Sequence, residues 1–173
     1  MTTESGHGEQ GDEARRAAMR AVARRIDRVN DWLQVGGFIP AGEYERCLDA
    51  GISHVIDMRE PHELDNANSS PPAERLRELG IARRQIPVPN GSAPSREQLR
   101  EVAEWFQSQP EKSSLYVHCG GGFARAATMT IGLLVLEGSS FEDALQQVRQ
   151  ARPEIIPNDE QVAWLRALEP GSP

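Results

Sequence analysis

A chain of 173 residues with 38% hydrophobic content is long enough to bury the core of one domain, and nothing in it calls for two. The net charge of −7 excludes a dedicated nucleic-acid binder, because affinity for a phosphate backbone comes from clustered cations and here 26 acids face 19 bases. Two cysteines cannot build a disulfide framework, no apolar run approaches the roughly 20 residues that cross a bilayer, and the opening residues are polar and acidic, unlike a signal peptide; the expectation is a cytoplasmic protein with no membrane partner.

Residues 1–12 are rich in Gly, Glu, Ser and Thr without apolar periodicity and are expected to form a disordered leader, followed by a single domain over 13–168 and a tail at 169–173. The spacing predicts a helix over 13–30, with Met19, Val22, Ile26 and Val29 on one stripe and Arg16, Arg20, Arg24 and Arg28 on another. Such a helix can lie on an anionic membrane, but its apolar face lacks Leu and aromatic residues, so packing on the domain is expected. A strand over 32–35 and a turn at Gly36-Gly37 lead into a short helix over 41–50. That helix carries Cys47, either an ordinary buried thiol or a redox partner for Cys119.

A second strand is expected over 52–58, then a loop over 66–72, a helix over 73–79 and a strand around 85–88. Ser95 followed by Gln98 forms a capping box, and Leu99, Val102 and Phe106 give its helix a core stripe to about residue 107. A strand over 115–118 and helices over 126–136, 140–151 and 158–168 complete the chain. Strands alternating with helices predict an α/β fold, a mainly parallel central sheet flanked by helices on both faces, with a ligand site at the carboxyl end of a strand.

The candidate site is the stretch His118-Cys119-Gly120-Gly121-Gly122-Phe123-Ala124-Arg125, between the strand over 115–118 and the helix over 126–136. Three glycines let several N–H groups point into one concavity, and the following helix adds the positive end of its dipole, so the loop is suited to an anion. A thiol at its first position sits in the same field, which favours the thiolate, and Arg125 offers a planar fork that matches two phosphate oxygens at once. The bland alternative is a buried structural cysteine in a glycine-rich turn.

With its His-Cys, five residues and Arg, and a glycine three places after the Cys, this stretch resembles the signature of the cysteine-dependent protein phosphatases. The phrase Gly51-Ile52-Ser53-His54-Val55-Ile56-Asp57-Met58-Arg59 and the segment Arg152-Pro153-Glu154-Ile155-Ile156-Pro157-Asn158, with Gln161 and Leu165, look like the dual-specificity branch, so the resemblance spans about 32–168. It implies that Cys119 attacks phosphorus, that Arg125 and the loop residues Gly120, Gly121, Gly122, Phe123 and Ala124 hold the phosphoryl oxygens, and that His118 orients the loop. It also implies that water releases phosphate and that no metal or cofactor takes part. The implied partner is a phosphorylated protein or a small phosphate ester.

Two positions depart from the family pattern. Asn90 stands where the family places an aspartic acid, and an amide cannot give a proton to the leaving oxygen. Either Asp57, Glu60, Glu63 or Asp65 replaces it, or the leaving group needs no proton, or Asn90-Gly91 is simply a good turn. Ala126 replaces a Ser or Thr whose hydroxyl helps the thiolate leave in the second step, and Thr128, two residues on, faces elsewhere on a helix. The reading is a phosphomonoesterase, with a phosphate-binding module of attenuated catalysis as the alternative. Sulfur transfer on a rhodanese-like loop is a third, and thiosulfate activity with cyanide tests it. Phe123 and Ala124 give the loop an apolar rim, which argues against highly charged inositol phosphates.

Overall fold

The computed structural model describes residues 6–64 and 70–171. One sheet has the spatial order β1 (Ile26–Arg28), β2 (Leu33–Gly36), β5 (Leu115–His118), β3 (His54–Asp57), β4 (Ala82–Gln85), with β1 antiparallel to β2 and every other neighbouring pair parallel. The α-helices are α1 (Gly6–Ala23), α2 (Glu45–Asp49), α3 (Ala73–Glu78), α4 (Arg96–Gln107), α5 (Arg125–Leu136), α6 (Phe141–Ala151) and α7 (Asp159–Arg166). The mainly parallel α/β sheet expected from the sequence is present.

Both sheet faces are covered, which is why the central strands carry so little that is polar. Leu33, Val35, Ile56, Leu115 and Val117 face the larger core, under α4, α5, α6 and α7. Val55 and Tyr116 face the other way, onto Tyr44, Cys47 and Ile52. From Arg125 to Val135, α5 is buried at every position, as a helix packed on the sheet and wrapped by α4, α6 and α7 must be. The capping box of Ser95 and Gln98 forms in both directions, a device that contributes about 1 kcal/mol.

Gly36, His118, Asp57 and Gln85 stand level in register, so the parallel strands end together. Past that edge the chains stay paired: Met58 N–H donates to His118 O at 2.9 Å and Val88 N–H to Met58 O at 3.1 Å. The site is built on this ledge.

The structure differs from the sequence reading in three elements. The helix expected over 13–30 runs from Gly6 to Ala23, inside the stretch expected to lack structure, and gives way to β1. Its apolar stripe is therefore not one face: Met19 is exposed, Val22 and Ala23 pack only at the last turn, and Ile26 and Val29 reach the core from β1 and the turn after it. The strand expected around 85–88 lies at Ala82–Gln85, where two arginines suit a sheet edge; Pro87 and Pro89 lack the N–H that a ladder needs. The helix over 41–50 is a 3₁₀ turn, Ala41–Glu43, followed by α2.

Candidate active site

β5 delivers Cys119 to the level edge of the sheet, where the chain turns into the loop that precedes α5. Gly122 adopts φ 75°, and a Cβ there would lie 2.2 Å from the backbone carbon of Gly36, so this position admits glycine alone. That turn brings the Gly122 N–H to 3.3 Å from Cys119 Sγ, where it donates to the sulfur. The thiol is only 4% exposed.

Behind the loop lies Arg152, with no exposed surface. Its guanidinium donates to Gly121 O at 2.8 Å, Gly122 O at 3.0 Å, Val22 O at 3.0 Å and Asp27 Oδ2 at 2.7 Å, and it sits over the Phe123 ring. Carbonyls of the loop thus point back to a cation, which leaves its N–H groups free to face forward. Sequence reasoning assigned Arg152 no role; its place in the Arg-Pro phrase was the available signal.

Arg125, the first residue of α5, is 4% exposed. Its two terminal nitrogens each donate to one Glu63 oxygen at 2.7 Å, and Nη1 also donates to Val88 O at 2.9 Å. Glu63 takes the end of the guanidinium; Nε–H and one Nη2–H, its side edge, are committed to no acceptor among the described residues. Two parallel donors on that edge match a phosphoryl group. The hydrogen bonds from Arg125 hold the Glu63 carboxyl below its usual value, so it is an anion and a poor proton donor.

His118 and Asp57 form the base of the site. Burial of Asp57 works to raise its pKa, but the neighbouring His118 and three hydrogen bonds from Arg59 outweigh it and hold the carboxyl well below the usual range. Arg83 adds a fourth bond at 2.6 Å. Burial pushes the His118 imidazole down against the pull of Asp57. It is therefore neutral near pH 7, its Nδ1 stands 3.2 Å from the Cys119 carbonyl, and the ring stacks on Tyr116, whose hydroxyl donates to Gly37 O. This backbone contact suits the orienting part expected of His118.

Asn90 lies in a turn, Pro89 to Ser92, closed by Ser92 N–H on Pro89 O, with Gly91 at φ 85°. The α7 capping box grips that turn from outside: Asn158 donates to Gly91 O at 2.7 Å and Gln161 to Ser92 O at 2.9 Å. Val88, two residues before Asn90, touches Arg125, which brings the turn to the rim of the site, yet the Asn90 side chain is exposed and makes no hydrogen bond among the described residues. Among the other acids named from the sequence, Asp57 is consumed by Arg59 and Arg83, Glu63 by Arg125, and Asp65 lies outside the described residues; Glu60 stays half-buried beside them. Ala126 is buried and brings no hydroxyl, and Thr128 Oγ1 donates to Ala124 O at 2.9 Å, directed at its own helix. Cys47 lies in the core on the opposite sheet face from Cys119, with burial pushing its thiol up to about 12.

Glu60, His62 and Glu63 are the single trio of metal-ligating types that converge among the described residues, with ligand atoms within 4.8 Å of one another. Both Glu63 oxygens accept from Arg125, and one also accepts from Glu60 N–H, so the trio has little to offer a cation.

A family model described as "Swiss Army Knife protein, DSP-PTPase phosphatase domain" matches residues 41–173. Dual specificity protein phosphatase 19 of Mus musculus is 38% identical over 149 residues, 85% of this chain and 63% of that protein. The phosphatidylglycerophosphate phosphatase PTPMT1 of Arabidopsis thaliana is 27% identical over 143 residues, 82% of this chain and 41% of that one. The chain spans less than two thirds of the length of these curated relatives. Among solved structures, PTPMT1 in complex with PI(5)P superposes with a TM-score of 0.73 at 21% identity over 82% of this chain and 92% of that one. Tk-PTP in the active form superposes with a TM-score of 0.71 at 26% identity over 84% and 97%. The family match includes the loop from Cys119 to Arg125 and most of the sheet, and on that ground this chain belongs to the dual-specificity and protein-tyrosine phosphatase family.

Proposed function

We propose that the chain is a phosphomonoesterase working through a phosphocysteine on Cys119. The observation that carries the reading is the pairing of a sulfur that accepts the Gly122 N–H with an arginine whose side edge stays uncommitted beside the same loop. Cys119 Sγ attacks phosphorus, the S–P bond forms as the P–O bond to the leaving group breaks, and Arg125 with the loop amides takes the charge of the three outer oxygens. Water then attacks phosphorus, the S–P bond breaks, and phosphate leaves with the thiolate restored.

The weak point is the proton for the leaving oxygen. Asn90 cannot supply one, and Asp57 and Glu63 are both held ionised by arginines. Substrates whose oxygen departs without help, such as aryl esters or phosphoanhydrides, are therefore turned over fastest. Phosphoproteins and small phosphate esters both fall within this chemistry; the name of the mouse relative is that of a protein phosphatase and the name of the Arabidopsis relative that of a phospholipid phosphatase. A second reading, a phosphate-binding module, is favoured by Ala126 together with Asn90. Burst kinetics on an aryl phosphate separate the two: an enzyme releases a stoichiometric burst of phenol, and a binder releases none.

A further inference from the structure

Of the five asparagines in the chain, Asn90 alone is followed by glycine. An asparagine amide can be displaced from within the chain, when the main-chain nitrogen of the next residue attacks the amide carbon; a side chain on that next residue hinders the approach. Gly91 has none, and at φ 85° it holds the second corner of the turn that Ser92 N–H closes on Pro89 O. The Asn90 amide is exposed and makes no hydrogen bond among the described residues, and the Gly91 N–H makes none either. The other described asparagines are occupied. Asn30 Oδ1 accepts from Trp32 N–H at 3.0 Å and Leu33 N–H at 2.8 Å, Asn158 is locked in the α7 capping box, and each is followed by an aspartate.

The surroundings leave this attack open and keep its product in place. The ring it closes consists of Asn90 Cα, Cβ, Cγ and main-chain carbonyl carbon together with Gly91 N, so no hydrogen bond among the described residues has to break for those atoms to meet. The carbonyls that α7 holds belong to Gly91, at 2.7 Å from Asn158, and to Ser92, at 2.9 Å from Gln161, both outside the ring. The turn therefore stays fastened to α7 while its first corner changes. On its other side it follows Val88, whose carbonyl accepts from Arg125 at 2.9 Å. A change at position 90 thus falls on the rim of the site, where the proposed reaction lacks a proton donor.

From this we infer that Asn90-Gly91 is a self-modification site, and that its deamidation supplies the acid the chain is made without. Gly91 N gives up its proton and attacks Asn90 Cγ; the new N–C bond forms as the bond from Cγ to the amide nitrogen breaks, and ammonia leaves with that proton. Water then opens the cyclic imide. Attack at Cγ restores the main chain and leaves aspartate at position 90, whereas attack at the main-chain carbonyl leaves isoaspartate, with the chain running through the side-chain carbon. Nothing is oxidised or reduced, and water is the one co-reactant. The aspartate can give a proton to the leaving oxygen in the first step and, as the carboxylate, take one from the attacking water in the second. The newly made chain is thus the slow form for leaving groups that need a proton, and the deamidated chain the fast one. This catalytic half rests on the phosphomonoesterase reading; the modification itself does not.

The test incubates the folded wild type, Asn90→Gln and Asn90→Asp at mildly alkaline pH, which favours the attacking nitrogen, and samples them over days. Ion exchange separates the amide, aspartate and isoaspartate forms, peptide mapping locates the change, and each form is assayed on phosphotyrosine and on nitrophenyl phosphate. The wild type is expected to release ammonia and gain a negative charge at position 90. Its isolated aspartate form is expected to match Asn90→Asp, up to about a hundredfold faster than the amide form on phosphotyrosine and little changed on the activated ester. Asn90→Gln, whose longer side chain must close a larger ring, is expected to stay neutral there and slow. A wild type that keeps Asn90 intact for as long as the excised peptide Pro87–Pro94 takes to deamidate overturns the site. An aspartate form no faster on phosphotyrosine than the amide form overturns its catalytic consequence. If no form hydrolyses either ester, the phosphomonoesterase reading fails and the catalytic half falls with it, while ammonia release and the peptide map still decide the modification.

Discussion

In the proposed reaction Cys119 attacks and Arg125 takes the charge, while Asn90 occupies the place of a proton donor without a proton to give. Replacing Cys119 by Ser is expected to remove turnover while tungstate or phosphate still binds within a few fold, since Arg125 and the loop amides remain; calorimetry beside steady-state assay checks both halves. Asn90→Asp is expected to raise the rate by up to about a hundredfold for leaving groups of high pKa, such as phosphotyrosine, and little for activated aryl esters. A series of aryl phosphates reads this as a slope against leaving-group pKa, and a gain independent of leaving group would remove Asn90 from the proton path. Iodoacetamide is expected to modify Cys119 in competition with phosphate and to spare Cys47, whose buried thiol is pushed up to about 12. These residues were legible in the sequence because their identity and spacing are the chemistry. Glu63 was legible as a carboxylate near the site and not as the partner of Arg125, because a pair 62 positions apart leaves no local pattern.

At the scale of elements, the loop depends on what stands behind it. Arg152 closes four hydrogen bonds in full burial, so Arg152→Met is expected to leave two loop carbonyls without donors and Asp27 with Arg25 alone, and to cost about 3–5 kcal/mol, read as a lowered urea midpoint with activity falling further than stability. If activity and midpoint fall together in proportion, Arg152 supports the fold and not the loop in particular. The sequence announced α4 through Ser95 and Gln98 and β5 through its apolar run, since a cap and a buried strand both write themselves into neighbouring residues. It concealed β1 and placed β4 too far along the chain. Three residues, Ile26 to Arg28, continued a helical spacing by chance, and the edge strand Ala82–Gln85 is polar because an edge has only partial cover. Tertiary pairing decides such short segments, and pairing is not a local property.

For the whole molecule, the balance of charges predicts where acid acts. Asp57 and Glu63 have folded pKa values depressed below their unfolded values of about 3.9 and 4.3, so their stabilisation is present above those values and is lost as pH falls through the depressed ones. Stability is expected to decline from about pH 5 downward, and Asp57→Asn is expected to flatten that decline while lowering stability at neutral pH, where Arg59 and Arg83 lose the Asp57 carboxylate. Thermal melts across the acid range check both arms, and a parallel decline in the variant removes Asp57 as the source.

Residues 11–21 of α1 stand exposed, whereas Val22 is fastened to the signature loop through Arg152 and Asp27 pairs with the same arginine. A protease digesting inward along that helix meets its first well-protected bond near Val22. The shortest active fragment is therefore set by a guanidinium 130 residues away in the chain. Trimming up to that point is expected to leave the proposed hydrolysis of a simple aryl phosphate intact, and removing β1 as well to take the back wall from the loop and that activity with it.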